Sequence, residues 1–409
     1  MTIPANIHGG RVHRRRTNVA SRAAAVLTAL AAAATIAIAA PSAEAKGRWV
    51  VKGAGFGHGI GMSQYGALGS AKAGMTHAAI LAQYYSGTTL GQTASQTVRV
   101  LLRPNLSSVG ISGASAACGA TLNEGTTYTA KRRGQRVILQ GKGSGRVASC
   151  GKVLSASGGD SVTLAGRAYR GAIEVRIAKV PGKLNAINAV ELEDYVRGVI
   201  SKESPSSWPL EALKAQAVAA RSYAISTPVR GAGFDQYADT RSQVYGGIGA
   251  ETARTNQAVA ETPLQVVIYR GAVAQTFFFS TSGGHTEHNE NSFLGGTPEP
   301  YLRGVPDPNE AQAGSPYHTW TRKFSQGGLQ AELGSLVKGR LKRIDIVRRG
   351  VSPRIVKAKI VGTGGSSNAS GPTLRARLGL PDTWATFVSP GQAGKARARR
   401  AIAELYAGW

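Results

Sequence analysis

An acidic residue between two predicted helices is the first candidate for chemistry in this sequence. Glu203 ends the stretch LEDYVRGVISKE and is followed by SPSSWP, whose serines and prolines interrupt a helix. A carboxylate at such a break can point into a cleft, where desolvation raises its pKa and lets it hold a proton at neutral pH. The alternative is a structural carboxylate that pairs with a cation or caps the next helix. The local pattern alone favours that structural alternative.

Two basic residues lie on the helix that follows, which is predicted from Leu210 to about Ser226. Lys214 and Arg221 are seven residues apart and therefore share one face of this helix. Two cations on one face beside an acid are suited to bind a polar, partly anionic substrate. The many alanines of the same helix predict tight burial against its neighbours.

A glycine-rich stretch, GAGFGHGIGMSQYGA, begins at Gly53. Its glycines lack the spacing of a dinucleotide-binding fingerprint, and no Walker lysine follows them, so a phosphate loop is excluded. The alternation instead predicts an extended strand over 53–61, with bare backbone on one face and His58 with its apolar neighbours on the other. Glycine inside a strand indicates close approach of another backbone or of a ligand.

The first 45 residues are predicted to be a secretory signal peptide. A basic head precedes an alanine-rich apolar run over 23–40, and the triplet AEA at 43–45 offers a cleavage site before Lys46. An uncleaved membrane anchor is the alternative, since the run is about long enough to span a bilayer. No later segment approaches that length. We therefore expect a secreted protein with no integral membrane segment after cleavage.

The chain carries a large positive charge. Its formal net charge is +27, and removal of residues 1–45, which carry five arginines and one glutamate, leaves about +23. Outside the cell such a surplus suits a polyanionic surface, such as a cell wall with its anionic polymers. Nucleic acid is disfavoured because the basic residues are scattered and aromatic residues are few. Scattered charge on a solvated surface is the alternative that stays open.

Short β runs dominate from about 98 to 188, each bounded by Gly, Ser or Asn, and they predict a β-rich region with hairpins. Cys118 and Cys150 lie in this region and are predicted to form a disulfide in an oxidising compartment. Helices are predicted on both sides of it, including the two that flank Glu203. The sequence therefore predicts an α+β fold, with mixed β structure around central helices.

Four separated blocks resemble the SpoIID/LytB family of exported cell-wall proteins (stage II sporulation protein D-like). They are LEDYVRGVISKESPSSWPLEALKAQAVAARSYA, SQVYGG, FFSTSGGHTE and GFGHGIGMSQYGA, and the similarity extends over most of the chain after residue 45. The resemblance implies a peptidoglycan lytic transglycosylase that prefers glycan strands stripped of stem peptides. The glutamate of the family's ExP signature falls on Glu203 as the catalytic acid, and functional basic residues fall on Lys214 and Arg221. With the resemblance added, the catalytic interpretation of Glu203 is favoured.

One acid suffices for the implied reaction, whereas ordinary glycosidases use two carboxylates. The muramic 6-hydroxyl attacks its own anomeric carbon and gives a 1,6-anhydro end, so one glutamate can protonate the leaving oxygen and then take the proton of that hydroxyl. Two alternatives stay open. One is a non-catalytic wall-binding module that stimulates an N-acetylmuramoyl-L-alanine amidase, a role that other family members carry. The other is a hydrolase that uses Glu203 together with Glu287.

The resemblance also implies a groove for glycan strands. Besides Lys214 and Arg221, the expected substrate-binding residues are Ser280, Thr281, Ser282, Gly283, His58 and Gln64. His58 is expected to point either into this groove or into a polar pocket. His285 and His288 lie three residues apart, but no cysteine is near them, so we expect no metal and no cofactor. A nucleophilic pair of Ser282 with His285 stays open.

The order of the blocks departs from the family, in which the GHGxGMSQYGA block follows an LGLPxTW-type segment. Here LGLPDTW is Leu378 to Trp384, and the glycine block lies far before it. This order predicts a circular permutation in which the segment 53–61 packs beside Trp384 in one domain. The expected organisation is a signal peptide at 1–45, glycine motif and helices of the SpoIID-like domain at 46–97, the β-rich insertion at 98–188, the SpoIID-like core at 189–390 and a basic connector with a terminal helix at 391–409.

Overall fold

The computed structural model describes residues 48–143, 145–231 and 233–391. The predicted signal peptide lies outside these residues, as does the predicted basic connector apart from its first residue. The described residues form eight α-helices and 24 β-strands in six sheets, so the predicted α+β class is confirmed. The helices are α1 Gln64–Lys72, α2 His77–Tyr84, α3 Leu192–Glu203, α4 Leu210–Ser226, α5 Ala253–Ala260, α6 Asn289–Ser292, α7 Gln326–Leu333 and α8 Gly371–Leu378.

Two sheets form the predicted β-rich region. In spatial order, the first contains β16 (Gln236–Tyr237), β4 (Thr97–Leu106), β15 (Leu184–Glu191), β14 (Ala172–Ile177), β11 (Val153–Ser157), β6 (Ala116–Ala117) and β7 (Ala120–Thr121). The second contains β10 (Arg146–Ser149), β9 (Arg136–Gln140), β8 (Tyr128–Arg133), β5 (Ser108–Ser112), β12 (Val162–Leu164) and β13 (Arg167–Tyr169). Both sheets share one apolar core with α3 and α4. The region therefore supports the helix that ends at Glu203.

The predicted disulfide between Cys118 and Cys150 is confirmed. Cys118 lies in the turn between β6 and β7, and Cys150 follows β10, with their Cα atoms 5.7 Å apart. The bridge therefore links an edge strand of the first sheet to an edge strand of the second.

A second apolar core lies toward the end of the described chain. It is covered by the sheet β20 (Thr319–Phe324), β1 (Trp49–Ala54) and β24 (Ala385–Val388), and by the sheet β21 (Leu341–Arg349), β22 (Ile355–Gly362) and β23 (Gly365–Ser370). The first strand of the described chain is thus the central strand of a late sheet. Gly53 pairs with Ala385, and Ala54 N donates to Trp384 O at 3.2 Å. The predicted contact with Trp384 is confirmed, whereas the circular permutation stays a prediction.

The predicted strand over 53–61 is only partly correct. β1 ends at Ala54, and the glycines at 55, 57, 59 and 61 have positive φ angles between 71° and 135°. A backbone that returns to positive φ at every second residue leaves the strand, and glycine adopts this conformation at little cost. The predicted close approach is confirmed, because a Cβ at Gly61 would lie only 2.1 Å from Phe277 O.

Two small sheets complete the fold around the central helix α4. They are β18 (Ala272–Val273) with β17 (Gln265–Tyr269) and β3 (Thr89–Gln92), and the parallel pair β19 (Phe278–Phe279) with β2 (Met62–Ser63). A third apolar core lies between these strands, α2 and α4. Because β2 leads directly into α1, this core sets the position of Gln64, the first residue of that helix.

All described residues belong to one compact unit. The predicted division of this unit at 98, 189 and 391 therefore stays a prediction. Among the described helices, none has the length and apolar character that a membrane span needs.

Candidate functional site

Glu203 is the last residue of α3, and its side chain is half-buried. Its Oε1 accepts a hydrogen bond from Val244 N at 3.1 Å. Burial raises the pKa of Glu203, although the hydrogen bonds from Val244 N–H and from the Gln64 amide oppose this rise. The C-terminal end of a helix also disfavours negative charge. The carboxyl therefore holds its proton to higher pH than an exposed glutamate does.

The surroundings of Glu203 are aromatic and amide groups rather than cations. In the described part of the chain, Glu203 forms no ion pair, so the structural alternative of a salt-bridged carboxylate is not what this structure contains. Burial raises the pKa values of Tyr195 and Tyr223, and the charge of Glu203 contributes to both shifts. Both phenol groups are therefore close to the carboxyl.

Two glutamine side chains lie beside the acid. Gln64 donates a hydrogen bond to Glu203, and its Nε2 lies 3.4 Å from Gln216 Oε1. Ser204 Oγ is 3.5 Å from the same oxygen. Gln216 Nε2 is buried and has no hydrogen-bond partner among the described residues. Sequence reasoning missed Gln216, although a glutamine flanked on both sides by alanines in α4 is a signal for it.

The SQVYGG segment supplies the backbone donor to Glu203. Its neighbouring side chains fix the loop, because Gln243 accepts from Tyr195 OH at 2.8 Å and donates to Ala220 O at 3.3 Å. The hydroxyl of Tyr245 also donates to Asn188 Oδ1 at 2.7 Å. Sequence reasoning used this block only for the resemblance. A backbone N–H leaves no residue-type signal, so its role was not predicted.

The structure corrects the expected position of Lys214 and Arg221. Arg221 is fully buried and donates to both carboxylate oxygens of Glu193 at 2.7 and 2.9 Å. Glu193 lies near the start of α3, about 15 Å along that helix from its last residue. Lys214 pairs with Glu211 and Glu261 at 2.9 and 2.6 Å. Both cations are neutralised within the fold by carboxylates other than Glu203.

The structure also corrects the expectation for Thr281 and Ser282, whose side chains are fully buried. Ser282 Oγ donates to Asp307 Oδ2 at 2.7 Å, so it is not placed as a nucleophile beside His285. Ser280 is partly exposed, and its carbonyl accepts from Tyr65 N at 2.9 Å. This turn therefore holds the end of β2 and the start of α1 rather than presenting a row of hydroxyls.

Gly283 packs against the end of β1, where its Cβ would lie 2.8 Å from Ala54 Cβ. It therefore serves close packing in this structure.

His58 is a neutral histidine at the wall of a pocket. Its Nδ1 accepts from Ile60 N at 3.0 Å, and its Nε2 donates to Phe278 O at 3.1 Å. Burial and the nearby charge of Arg375 lower the pKa of His58 to about 3. Of the two expectations for His58, the pocket fits, although the rings of Phe277 and Phe293 make it largely aromatic rather than polar.

Glu287 is not placed as a second catalytic carboxylate. It is fully buried, and its oxygens accept hydrogen bonds from Asn291 Nδ2 at 2.9 Å, Ser352 Oγ at 2.5 Å and three backbone N–H groups. The ring nitrogens of His285 and His288 contact backbone atoms. Among the described residues, no group of three or more metal-ligating side chains comes together.

A surface groove with basic walls lies on the α3 side of the β-rich region. Three cavities of 380, 370 and 470 Å³ share lining residues and adjoin one another. Their basic residues are Arg103, Arg167 and Lys202, all exposed. We call this surface the basic groove. It reaches Gly246, two residues from the backbone donor of Val244.

Comparison with known proteins places the central segment in a family. The family model described as Stage II sporulation protein matches residues 181–269, which contain both Glu203 and the SQVYGG loop. The predicted family is thereby confirmed.

Three relatives show how much of the chain is similar. An uncharacterized protein of Brachyspira hyodysenteriae, BHWA1_00569, is 36% identical over 43% of this chain and 47% of its own length. Stage II sporulation protein D of Bacillus amyloliquefaciens is 31% identical over 48% of this chain and 60% of its own length. The amidase enhancer of Bacillus subtilis is 32% identical over 43% of this chain and 23% of its own length. The chain thus spans less than two thirds of each of these relatives.

Proposed function

We propose that this chain, whose residues 181–269 match the SpoIID family model, is a cell-wall lytic transglycosylase whose acid and base is Glu203. The observation that carries the proposal is a half-buried carboxyl that has a raised pKa and no paired cation among the described residues. Its proton goes to the glycosidic oxygen as the bond from C1 to that oxygen breaks. The muramic 6-hydroxyl then attacks C1, and its proton returns to Glu203. The products are a free hydroxyl end and a 1,6-anhydro end.

The neighbours of Glu203 support the two proton transfers. After the first proton transfer Glu203 is a carboxylate. Val244 N–H and the Gln64 amide stabilise this carboxylate until the second transfer, because both donate hydrogen bonds to it. Burial acts in the opposite direction and favours the protonated form at the start. Glu287 is engaged inside the fold, so a mechanism with one carboxylate suits this site better than a two-carboxylate hydrolysis.

The basic groove is the proposed binding surface for the polymer. Denuded glycan carries one lactyl carboxylate per disaccharide, and exposed arginine and lysine side chains attract such a polyanion. Arg103, Arg167 and Lys202 line a path that ends beside the SQVYGG loop. Anionic wall polymers are further proposed partners, because they carry the same negative charge. The proposed location of the protein is therefore the cell wall, after secretion.

A second candidate function is a wall-binding modifier that stimulates an amidase. It is favoured by one observation, the similarity to a relative named amidase enhancer. In that case Glu203 would hold the loop around Val244 without transferring protons.

Digestion of denuded glycan, followed by mass spectrometry of the strand ends, separates these functions. The transglycosylase predicts anhydro ends from the wild type, no cleavage by Glu203→Gln and full cleavage by Glu332→Gln, a matched control at an exposed glutamate. Reducing ends would indicate a hydrolase. Intact strands that the wild type still binds, with a stimulated amidase in the same assay, would indicate the modifier.

A further inference from the structure

A further cavity, separate from the basic groove, lies along one side of α8. It has a volume of 460 Å³, and its lining includes His58, Phe293, Pro372, Arg375, Ala376 and Leu380. The helix residues form one wall, and His58 with Phe293 forms the other, with their ring centroids 5.3 Å apart. We call it the α8 pocket. The proposed mechanism does not use it.

One charged group, Arg375, faces this largely apolar space. In the described part of the chain, its guanidinium makes one hydrogen bond, from Nε to Leu380 O at 3.4 Å, and no ion pair. The nearest candidate partner, Asp382, is held by Arg354 through two hydrogen bonds of 2.9 Å each. Burial lowers the pKa of Arg375, but an arginine keeps its charge in proteins. Among the described residues, this partly desolvated cation therefore has no ion-pair partner of its own, and Asp382, which attracts it, is already paired with Arg354.

The other polar wall of the pocket cannot supply a counter-charge. His58 is neutral, and both of its ring nitrogens are engaged by Ile60 N and Phe278 O. An anion that enters the pocket would therefore bind the two outer guanidinium nitrogens of Arg375. A carboxylate fits these nitrogens with two parallel hydrogen bonds. The carbon next to it would contact Phe293, Pro372 and Leu380.

We infer that the α8 pocket binds a carboxylate whose neighbouring carbon carries a methyl group. This inference rests on the proposed wall substrate, in which two groups share that chemistry. One is the lactyl ether of muramic acid, whose carboxylate is free once the stem peptide is removed. The other is the C-terminal D-alanine of a stem peptide. Both have a methyl and a carboxylate on one carbon, and both match a cation beside apolar walls.

Calorimetric titration of the full protein tests the inference with N-acetylmuramic acid and with N-acetyl-D-alanyl-D-alanine. All titrations use the Glu203→Gln background, which cannot cleave, so binding at the pocket is scored independently of the proposed activity. We expect at least one probe to bind at millimolar or lower concentration and Arg375→Gln to weaken it about tenfold or more. Arg322→Gln, at an exposed arginine of β20, is the matched control and should bind as the parent does.

The two probes identify the source of the carboxylate. Binding of the muramic acid alone indicates the denuded strand, binding of the dipeptide alone indicates a stem peptide, and binding of both indicates the shared group. Ala376→Trp, which fills the pocket from its exposed side, should abolish binding without removing a contact of the core. Three results would overturn the inference. Neither probe binds, N-acetylglucosamine or inorganic phosphate binds as tightly as the probes do, or Arg375→Gln and Ala376→Trp bind the probes as the parent protein does.

Discussion

Substitution of Asp382 by asparagine tests how the late LGLPDTW segment is joined to Arg354 and to the turn at 282–285. Asp382 and Arg354 form an ion pair whose side chains are 0% and 1% exposed. Arg354 also donates to Ser282 O at 2.9 Å and to His285 O at 2.7 Å. Asp382→Asn keeps the size of the side chain but leaves a buried cation without its counter-charge. Breaking a buried pair in this way costs about 3–5 kcal/mol of unfolding free energy.

The assay is thermal unfolding with a matched surface control. For a chain of this size, a loss of 3–5 kcal/mol lowers Tm by about 4–7 °C. Asp345→Asn removes the same charge from the exposed pair with Arg343, whose side chains are 42% and 60% exposed. That control should cost less than about 1 kcal/mol. Equal melting of the two variants would refute the claim that the buried pair holds these segments together.

Three further predictions follow from the same contacts. Arg221→Met should lower the free energy of unfolding in urea by roughly 3 kcal/mol, because Glu193 loses its buried partner. Any cleaving activity of the folded fraction should persist. A specific loss of glycan binding would contradict this prediction. Replacement of Cys118 and Cys150 by serine should cost about 4 kcal/mol relative to the oxidised wild type, given the length of the closed loop. The reduced wild type is the control and should unfold like the variant. Glu203→Gln should be more stable than the wild type at pH 7, because burial raises the pKa of Glu203 and ionisation of this group then destabilises the folded state. The difference in free energy of unfolding should disappear below about pH 4, where Glu203 is protonated in both the folded and the unfolded state. A constant difference across pH would contradict the raised pKa.

Local sequence patterns predicted the elements that position the acid. The helix Leu210–Ser226 has the predicted bounds, and α3 ends at Glu203, directly before the predicted break. Proline and serine residues at 204–209 interrupt a helix whatever the tertiary structure, so the position of Glu203 at a helix end was predictable. The disulfide was predictable as well, because only two cysteines exist in the sequence.

Partners distant in sequence were not predictable. Arg221 was predicted to bind substrate because its spacing from Lys214 places both on one helix face. Its pairing with Glu193 depends instead on how α3 packs on α4. The glycine segment was predicted as one strand because alternation does not reveal the sign of φ. Val244 was missed because a backbone donor has no side-chain signature. Tertiary packing decided each of these three points.

Digestion of denuded glycan in water enriched in oxygen-18 distinguishes attack by the muramic 6-hydroxyl from attack by water. If Glu203 takes the proton of this hydroxyl as it attacks the anomeric carbon, no oxygen from water enters the new ends. We predict unlabelled anhydro ends from the wild type and intact strands from Glu203→Gln. Labelled reducing ends, or undiminished cleavage by Glu203→Gln, would contradict it.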